Sequence, residues 1–154
     1  EIKERHHSAL YDASYLVRTL VDHSIAREFS EWYQGEFRKA YLGDRKETRM
    51  WRSAQAHLRK IRNECARRDI PFHLVVFPLL LDLDDYGFGD VEAEIKRFAD
   101  EDEIPFFSLT PGFVGRRAED LWVSASNQHP NSEGHRIAAD TLYPYFFEAV
   151  SNAR

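Results

Sequence analysis

Apolar residues recur at helical spacing through the first third of the chain. One series consists of Leu10, Ala13, Val17 and Leu20, and a second consists of Ile25, Phe29, Tyr33, Phe37 and Tyr41. Residues three or four positions apart lie on the same face of an α-helix, so both series predict amphipathic helices. Gly43 is predicted to end the second of them.

A further amphipathic helix is predicted to begin after Asp44. Glu47 stands three residues beyond Asp44, which is the spacing of a capping box at a helix N-terminus. The apolar stripe of this helix consists of Trp51, Ala54, Leu58, Ile61 and Cys65. Arg67 and Arg68 follow the stripe, where the C-terminal end of a helix favours positive charge.

The hydrophobic pattern changes at Ile70-Pro71. Phe72 to Phe77 is a nearly continuous apolar run closed by Pro78, the pattern of a buried parallel strand. Pro105 to Leu109 is predicted to be a second strand. A short helix marked by Val91, Ile95 and Phe98 separates them, and a strand-helix-strand order is typical of parallel α/β sheets.

The remaining segments are predicted to be a solvated turn, a long connection and a final helix. The acidic stretch Asp100 to Glu103 is interpreted as the turn, and Thr110 to Asn131 as the connection. The final helix begins near Ser132 and presents Ile137, Ala138, Leu142 and Phe146 on one face. Pro144 is expected to kink or end that helix, because proline lacks the N–H group that helical bonding needs.

The composition excludes several functional classes. The 154 residues are 43% hydrophobic and 31% charged, which is ordinary for a globular protein. The formal net charge of -5 argues against a nucleic-acid partner, and no apolar run is long enough to span a bilayer. Cys65 is the only cysteine, so a disulfide within the chain is excluded. Its place on a helical stripe predicts a core residue, and a nucleophilic Cys65 is the minor alternative.

Two groups of residues give only weak signals for a metal site. The histidines His6, His7, His23 and His57 lack carboxylates or cysteines at ligand spacing. The acidic loop with Asp82, Asp84 and Asp85 lacks the glutamate that closes a calcium loop. No metal site is therefore predicted.

The candidate chemistry lies in Asn127-Gln128-His129-Pro130-Asn131. Proline disfavours the helical region for the residue before it, so His129 is predicted to project from an extended loop. Asn131 or Ser132 is predicted to cap the following helix. Histidine titrates near neutrality and can accept and return a proton, which suits a general base. The alternative interpretation is that the segment is only a loop and a helix cap.

Together with Gly134-His135 and the final helix, this segment resembles the last conserved block of the SGNH (GDSL-type) hydrolases. The resemblance extends from Trp51 onward and, more weakly, over the helices before it. It implies a three-layer α/β/α flavodoxin-like fold, of which this chain is the C-terminal half behind a helix-rich N-terminal part. Residues 1–154 are then either a single domain or the C-terminal part of such a domain.

The resemblance also implies a function and two site residues. The implied activity is that of an ester hydrolase or acyl transferase that acts on an acyl or acetyl ester of a carbohydrate or small metabolite, with no metal or organic cofactor. His129 takes the position of the family's general base. Asn127 stands where the family carries the aspartate that orients this histidine.

The sequence departs from the family pattern in two ways. An asparagine can hydrogen-bond an imidazole, but it cannot stabilise the imidazolium by charge, and in serine proteases the corresponding change costs roughly 10⁴ in turnover. The Gly-Asp-Ser block of the nucleophile does not occur, so the nucleophilic serine is predicted to lie outside this chain. The rival hypothesis is a catalytically inactive SGNH-like binding or scaffolding module.

The strand Phe72 to Phe77 is expected to need a partner on its second edge. Two short strands rarely stand alone, and an uncovered apolar edge invites pairing. The partner is predicted to be a missing N-terminal segment, a second chain, or an early segment wrongly interpreted as helix. This chain alone is not expected to hydrolyse esters; if it does, Ser124 or Ser126 is the most plausible nucleophile.

Overall fold

The computed structural model describes residues 32–124 and 127–152 of the chain. The chain forms two compact units, Glu1–Met50 and Trp51–Arg154. The second unit begins at the residue from which the SGNH resemblance runs. The predicted helix with Leu10 to Leu20, and the histidines His6, His7 and His23, lie outside the described residues.

In the first unit, a helix α1 covers residues 32–42. The ring of Phe37 lies between those of Tyr33 and Tyr41, with centroid distances of 6.0 and 5.2 Å, which confirms that this part of the second series forms one helix face. The predicted capping box is also present. The backbone N–H of Glu47 donates to Asp44 Oδ1, and the backbone N–H of Asp44 donates to Glu47 Oε2, each at 2.9 Å.

The elements that follow make the protein a mixed α/β structure. They are α2 (Arg49–Ala66), β1 (Leu74–Val76), a 3₁₀ turn (Leu83–Asp85), α3 (Gly89–Glu101), β2 (Phe106–Ser108), α4 (Thr110–Phe113), a second 3₁₀ turn (Ala118–Leu121), β3 (Trp122–Ser124), β4 (Asn127–Pro130) and α5 (Ser132–Asn152). Among the helices that the structure describes, none combines the length and the apolar character that crossing a bilayer requires.

Strands β1 and β2 are parallel neighbours joined through α3, which confirms the predicted strand-helix-strand unit. Leu74 pairs with Phe106, and Val76 pairs with Ser108. Both strands are shorter than predicted, because Pro105 and Pro78 flank the ladder and proline cannot donate to it. In the described part of the chain, β1 has β2 as its one strand partner, so coverage of its other edge stays a prediction.

The main core lies beyond the carboxyl ends of these two strands. It contains buried side chains from the segments after β1 and β2 and from α5: Leu80, Leu83, Leu109, Phe113, Ala118, Leu121 and Ile137. A second buried group surrounds Phe98 of α3, whose ring meets Trp51 edge-on at 5.4 Å. The carboxyl side of the sheet is therefore filled by packed apolar residues, which give the loops there a firm base.

The prediction of a solvated turn is wrong for Asp102. Both carboxylate oxygens of Asp102 accept hydrogen bonds from Arg59 Nε at 2.9 Å, and Arg62 Nη2 lies 3.3 Å from Oδ1. The Asp102 side chain is only 9% exposed. The hydrogen bond from Arg59 lowers the pKa of Asp102, so this carboxylate stays charged and ties the end of α3 to α2.

Pro144 was predicted to kink or end the last helix, and the second of these alternatives is wrong. Helix α5 continues to Asn152 with Pro144 inside it. Aromatic contacts hold the turn beyond the proline: the Tyr145 ring lies 4.5 Å from Phe107, and the Tyr145 hydroxyl lies 3.0 Å from His73 Nδ1. Packing against β1 and β2 thus compensates for the hydrogen bond that proline removes.

Candidate functional site

The segment that carries His129 is one strand of a hairpin. Strands β3 and β4 are antiparallel, with Trp122 opposite Pro130 and Ser124 opposite Asn127, and the register is irregular between Trp122 and Ser124. The predicted unstructured connection is therefore corrected: it contains α4, a 3₁₀ turn and this hairpin. His129 lies in a strand and not in a loop.

Trp122 attaches the hairpin to the carboxyl side of the sheet. Its indole Nε1 donates to the carbonyl oxygen of Leu80 at 2.9 Å. Leu80 is buried and belongs to the segment that leaves β1. The hairpin is thus held against the region where parallel α/β sheets usually carry their ligands.

His129 lies on the outward face of the hairpin. Neighbouring residues of a strand point to opposite faces, and Pro130, which pairs with the half-buried Trp122, faces inward. His129 accordingly faces solvent, and its side chain is exposed. Val123, which lies within the irregular pairing, is 57% exposed.

Asn131 locks the hairpin to α5. Its Oδ1 accepts hydrogen bonds from the backbone N–H groups of Glu133 at 2.9 Å and Gly134 at 3.0 Å. Its Nδ2 donates to the carbonyls of Asp120 at 2.9 Å and Trp122 at 3.1 Å. The predicted helix cap is confirmed, and Asn131 provides it; the same side chain also fixes the start of β3.

Gly134 allows α5 to pack closely against the hairpin. It is buried, and a Cβ atom there would lie 3.0 Å from Pro130 Cβ and 3.5 Å from the carbonyl oxygen of Leu121. The first contact is tighter than normal packing permits. Pro130, Asn131 and Gly134 therefore all have structural roles in one junction.

Asn127 does not make the predicted contact with the imidazole. Its Oδ1 accepts a hydrogen bond from the backbone N–H of His129 at 3.2 Å. Asparagine often satisfies the backbone two residues ahead in this way, and that local bond competes with a side-chain partner. Within the described ranges, no side chain hydrogen-bonds the His129 imidazole, so the orienting interaction that the resemblance implies is not present in this structure.

The sequence interpretation missed a cleft beside β2 and the first half of α3. Glu92 in the first turn of α3 and Thr110 after β2 line it, and Thr110 Oγ1 donates to Glu92 Oε2 at 2.6 Å. The one available signal was their position along the chain: Glu92 lies near the start of the helix between the two strands, and Thr110 comes shortly after the second strand. Their spacing along the chain carries no known motif.

Neither a metal centre nor a related protein adds to this geometry. In the part of the chain that the structure covers, no group of three or more His, Cys, Asp or Glu side chains is placed to hold a metal ion. Cys65 is half-buried on α2. Comparisons of the chain with protein-family models, with curated proteins and with solved structures gave no match.

Proposed function

We propose that this chain is the histidine-bearing C-terminal part of an SGNH-type ester hydrolase or acyl transferase. Its substrate would be an acyl or acetyl ester of a carbohydrate or small metabolite. His129 is the general base, and the nucleophilic serine lies outside this chain. One observation carries the proposal: the residues around His129 build a firm junction, yet the imidazole itself faces solvent without taking part in it.

This observation favours the interpretation of the motif as a catalytic segment over its interpretation as only a loop and a helix cap. A segment that served only as a loop and helix cap would need Pro130, Asn131 and Gly134, whose contacts account for the junction. It would not need His129, because an exposed side chain on the outward face of a hairpin adds little to stability. A reactive group held by a rigid frame is what catalysis requires.

The chemistry assigned to His129 is proton transfer. As the serine oxygen attacks the carbonyl carbon of the ester, the imidazole accepts the hydroxyl proton. The C–O bond to the leaving alcohol then breaks, and the imidazolium returns that proton to the departing oxygen. Water repeats the sequence on the acyl-enzyme in a hydrolase, whereas a second alcohol does so in a transferase.

The finer fold follows from the same proposal. The β1-α3-β2 unit is one repeat of a three-layer flavodoxin-like domain, with α3 as its crossover. The strands that would complete the sheet pair with the second edge of β1. The segment that provides them also brings the serine to the carboxyl side, within reach of the hairpin.

An assay of this chain beside a longer polypeptide tests the proposal. We expect the longer protein, with a Gly-Asp-Ser segment before this chain, to hydrolyse p-nitrophenyl acetate. We expect this chain alone to show no turnover above that of its His129→Ala variant, because it lacks the nucleophile. Size-exclusion chromatography of both proteins completes the experiment. A stable monomer of this chain with His129-dependent activity would contradict the proposal and place the nucleophile at Ser124 or Ser126.

A non-catalytic binding or scaffolding module is the second candidate, and the position of Asn127 favours it. The amide oxygen of Asn127 is engaged with the backbone of His129, and among the described residues no side chain hydrogen-bonds the imidazole. An inactive descendant of an esterase would show this arrangement. The two candidates differ in what a carboxylate at position 127 would do.

Asn127→Asp is expected to raise kcat of the longer protein by about tenfold or more, since one carboxylate oxygen can keep the backbone N–H while the other holds the imidazole. The measurement is kcat on the same ester, with circular dichroism as the check on folding. Gln128→Glu is the matched control, because it adds the same charge one residue away on an exposed position. Equal gains in both variants, or a loss in Asn127→Asp with folding intact, would contradict the orienting role. No activity in any variant would support the binding module.

A further inference from the structure

A cleft of about 370 Å³ opens beside β2, between the first half of α3 and the segment that follows β2. Its walls include Tyr86, Glu92, Ala93, Phe106, Thr110 and Val114. Thr110 is the first residue of α4, just beyond β2, and Tyr86 follows the 3₁₀ turn after β1. A cleft of this size, with a mostly apolar lining and a few polar groups, is where a small molecule is expected.

A short chain of polar groups crosses the otherwise apolar wall of the cleft. Thr110 Oγ1 donates to Glu92 Oε2 at 2.6 Å, and the Tyr86 hydroxyl accepts from the backbone N–H of Leu79 at 3.3 Å. Burial raises the pKa of Tyr86, and the negative charge of Glu92 adds to that shift. Tyr86 therefore stays neutral at physiological pH.

Among the described residues, no lysine or arginine forms an ion pair with Glu92. The nearest cationic lining residue, Lys96, is engaged by Asp100, with Nζ at 2.8 and 2.6 Å from its two carboxylate oxygens. A partly buried charge in an apolar wall gains most from an opposite charge that also excludes water.

We propose that this cleft binds a small organic amine, with its ammonium group against Glu92 and its apolar body against the aromatic lining. Charge complementarity with Glu92 selects a cation and disfavours carboxylates or phosphates. Tyr86 and Phe106 line the cleft, and aromatic side chains suit both the apolar body and the positive head. A cavity of about 150 Å³ accommodates benzene, so this cleft has room for one aromatic ring with a short aminoalkyl chain.

The proposal is tested first by ligand comparison on the full, unmodified chain. Phenethylamine, 2-phenylethanol and 3-phenylpropionate are titrated into ¹⁵N-labelled protein and followed by NMR. They share the ring and differ in the charge of the head group. We expect phenethylamine to shift the amide resonances of Ala93, Thr110 and Val114, the alcohol to bind at least about tenfold more weakly, and the carboxylate not to bind. Equal affinity for the amine and the alcohol, or shifts elsewhere in the spectrum, would overturn the proposal.

Two variants then test the role of the carboxylate. Glu92→Gln keeps the size and the hydrogen bond from Thr110 but removes the charge, so we expect it to weaken phenethylamine by at least about tenfold. Glu101→Gln is the control on the same helix, because Glu101 is exposed and pairs with Arg97. It should leave the affinity unchanged. Wild-type affinity in Glu92→Gln would overturn the proposal, and the ligand comparison stands even where a variant folds poorly.

Discussion

Replacing His129 by alanine is expected to lower kcat/KM for ester hydrolysis by at least about 10³-fold in a protein that contains this chain and its nucleophile. In the proposed mechanism the imidazole accepts the serine proton, and loss of the histidine of a serine hydrolase costs roughly 10⁶ in kcat. Stability should change by less than about 0.5 kcal/mol, because His129 is exposed on the outward face of the hairpin. Initial rates on p-nitrophenyl acetate and a urea denaturation curve measure both quantities.

His135→Ala is the matched control for this experiment. His135 is also exposed, it stands in the first turns of α5, and its backbone N–H makes an ordinary helical bond to Asn131. We expect wild-type kcat/KM in this variant. Equal losses in the two variants, or unfolding of His129→Ala, would show that the histidines support the structure and would count against a general base.

Asn131→Ala is expected to reduce the free energy of unfolding by about 3 kcal/mol. Loss of an N-cap costs about 1 kcal/mol, and each backbone group left without its partner adds about 1 kcal/mol. Here the affected groups include the carbonyls of Asp120 and Trp122, which Asn131 Nδ2 bonds. Urea denaturation followed by circular dichroism at neutral pH gives the difference.

Ser132→Ala provides the control for Asn131. Ser132 was the other predicted cap, but the amides of Glu133 and Gly134 bond to Asn131 instead. Its replacement should change stability by less than about 0.5 kcal/mol. Asn131→Asp should fall between the two, since it keeps the capping oxygen and loses the Nδ2 donor. A loss in Ser132→Ala as large as that in Asn131→Ala would refute the assignment of the cap.

Elements set by local pattern were predictable from the sequence. The strands Leu74 to Val76 and Phe106 to Ser108 were predictable, because prolines flank the two apolar runs that contain them and a helical pattern separates the runs. The Asp44–Glu47 capping box and the Asn131 cap depend on neighbours within three residues. The box was correctly predicted, and Asn131 was one of the two predicted caps, with Ser132 as the other. Their energetics are local, so the sequence contains all of the necessary information.

Elements set by distant partners were not predictable. The hairpin depends on Trp122, whose indole reaches Leu80, and its two strands lack an alternating apolar pattern. Asp102 is held by Arg59 and Arg62 of another helix, although its acidic neighbours are typical of a solvated turn. Helix α5 passes Pro144 because Tyr145 packs on Phe107. Each of these outcomes is a tertiary contact that overrides a local preference.

The candidate site shows the same division. The exposure of His129 followed from the proline after it, and the structure bears it out. Asn127 was predicted to bond the imidazole of His129, but it bonds the backbone amide of the same residue. That amide competes with the imidazole for the side-chain oxygen of Asn127. The Glu92–Thr110 pair could not be predicted from the sequence, because most of a helix and a strand separate its two members along the chain.

The contact between Gly134 and Pro130 has a consequence for how this segment can change during evolution. Any larger residue at position 134 would push on Pro130, 3.0 Å from the site of the new Cβ, and would move the adjacent His129 with it. A misplacement of a reacting group by about 1 Å can lower a reaction rate by roughly 10². For the proposed general base, positions 130 and 134 are therefore coupled: a larger residue at position 134 requires Pro130 to shift or to be replaced by a smaller residue.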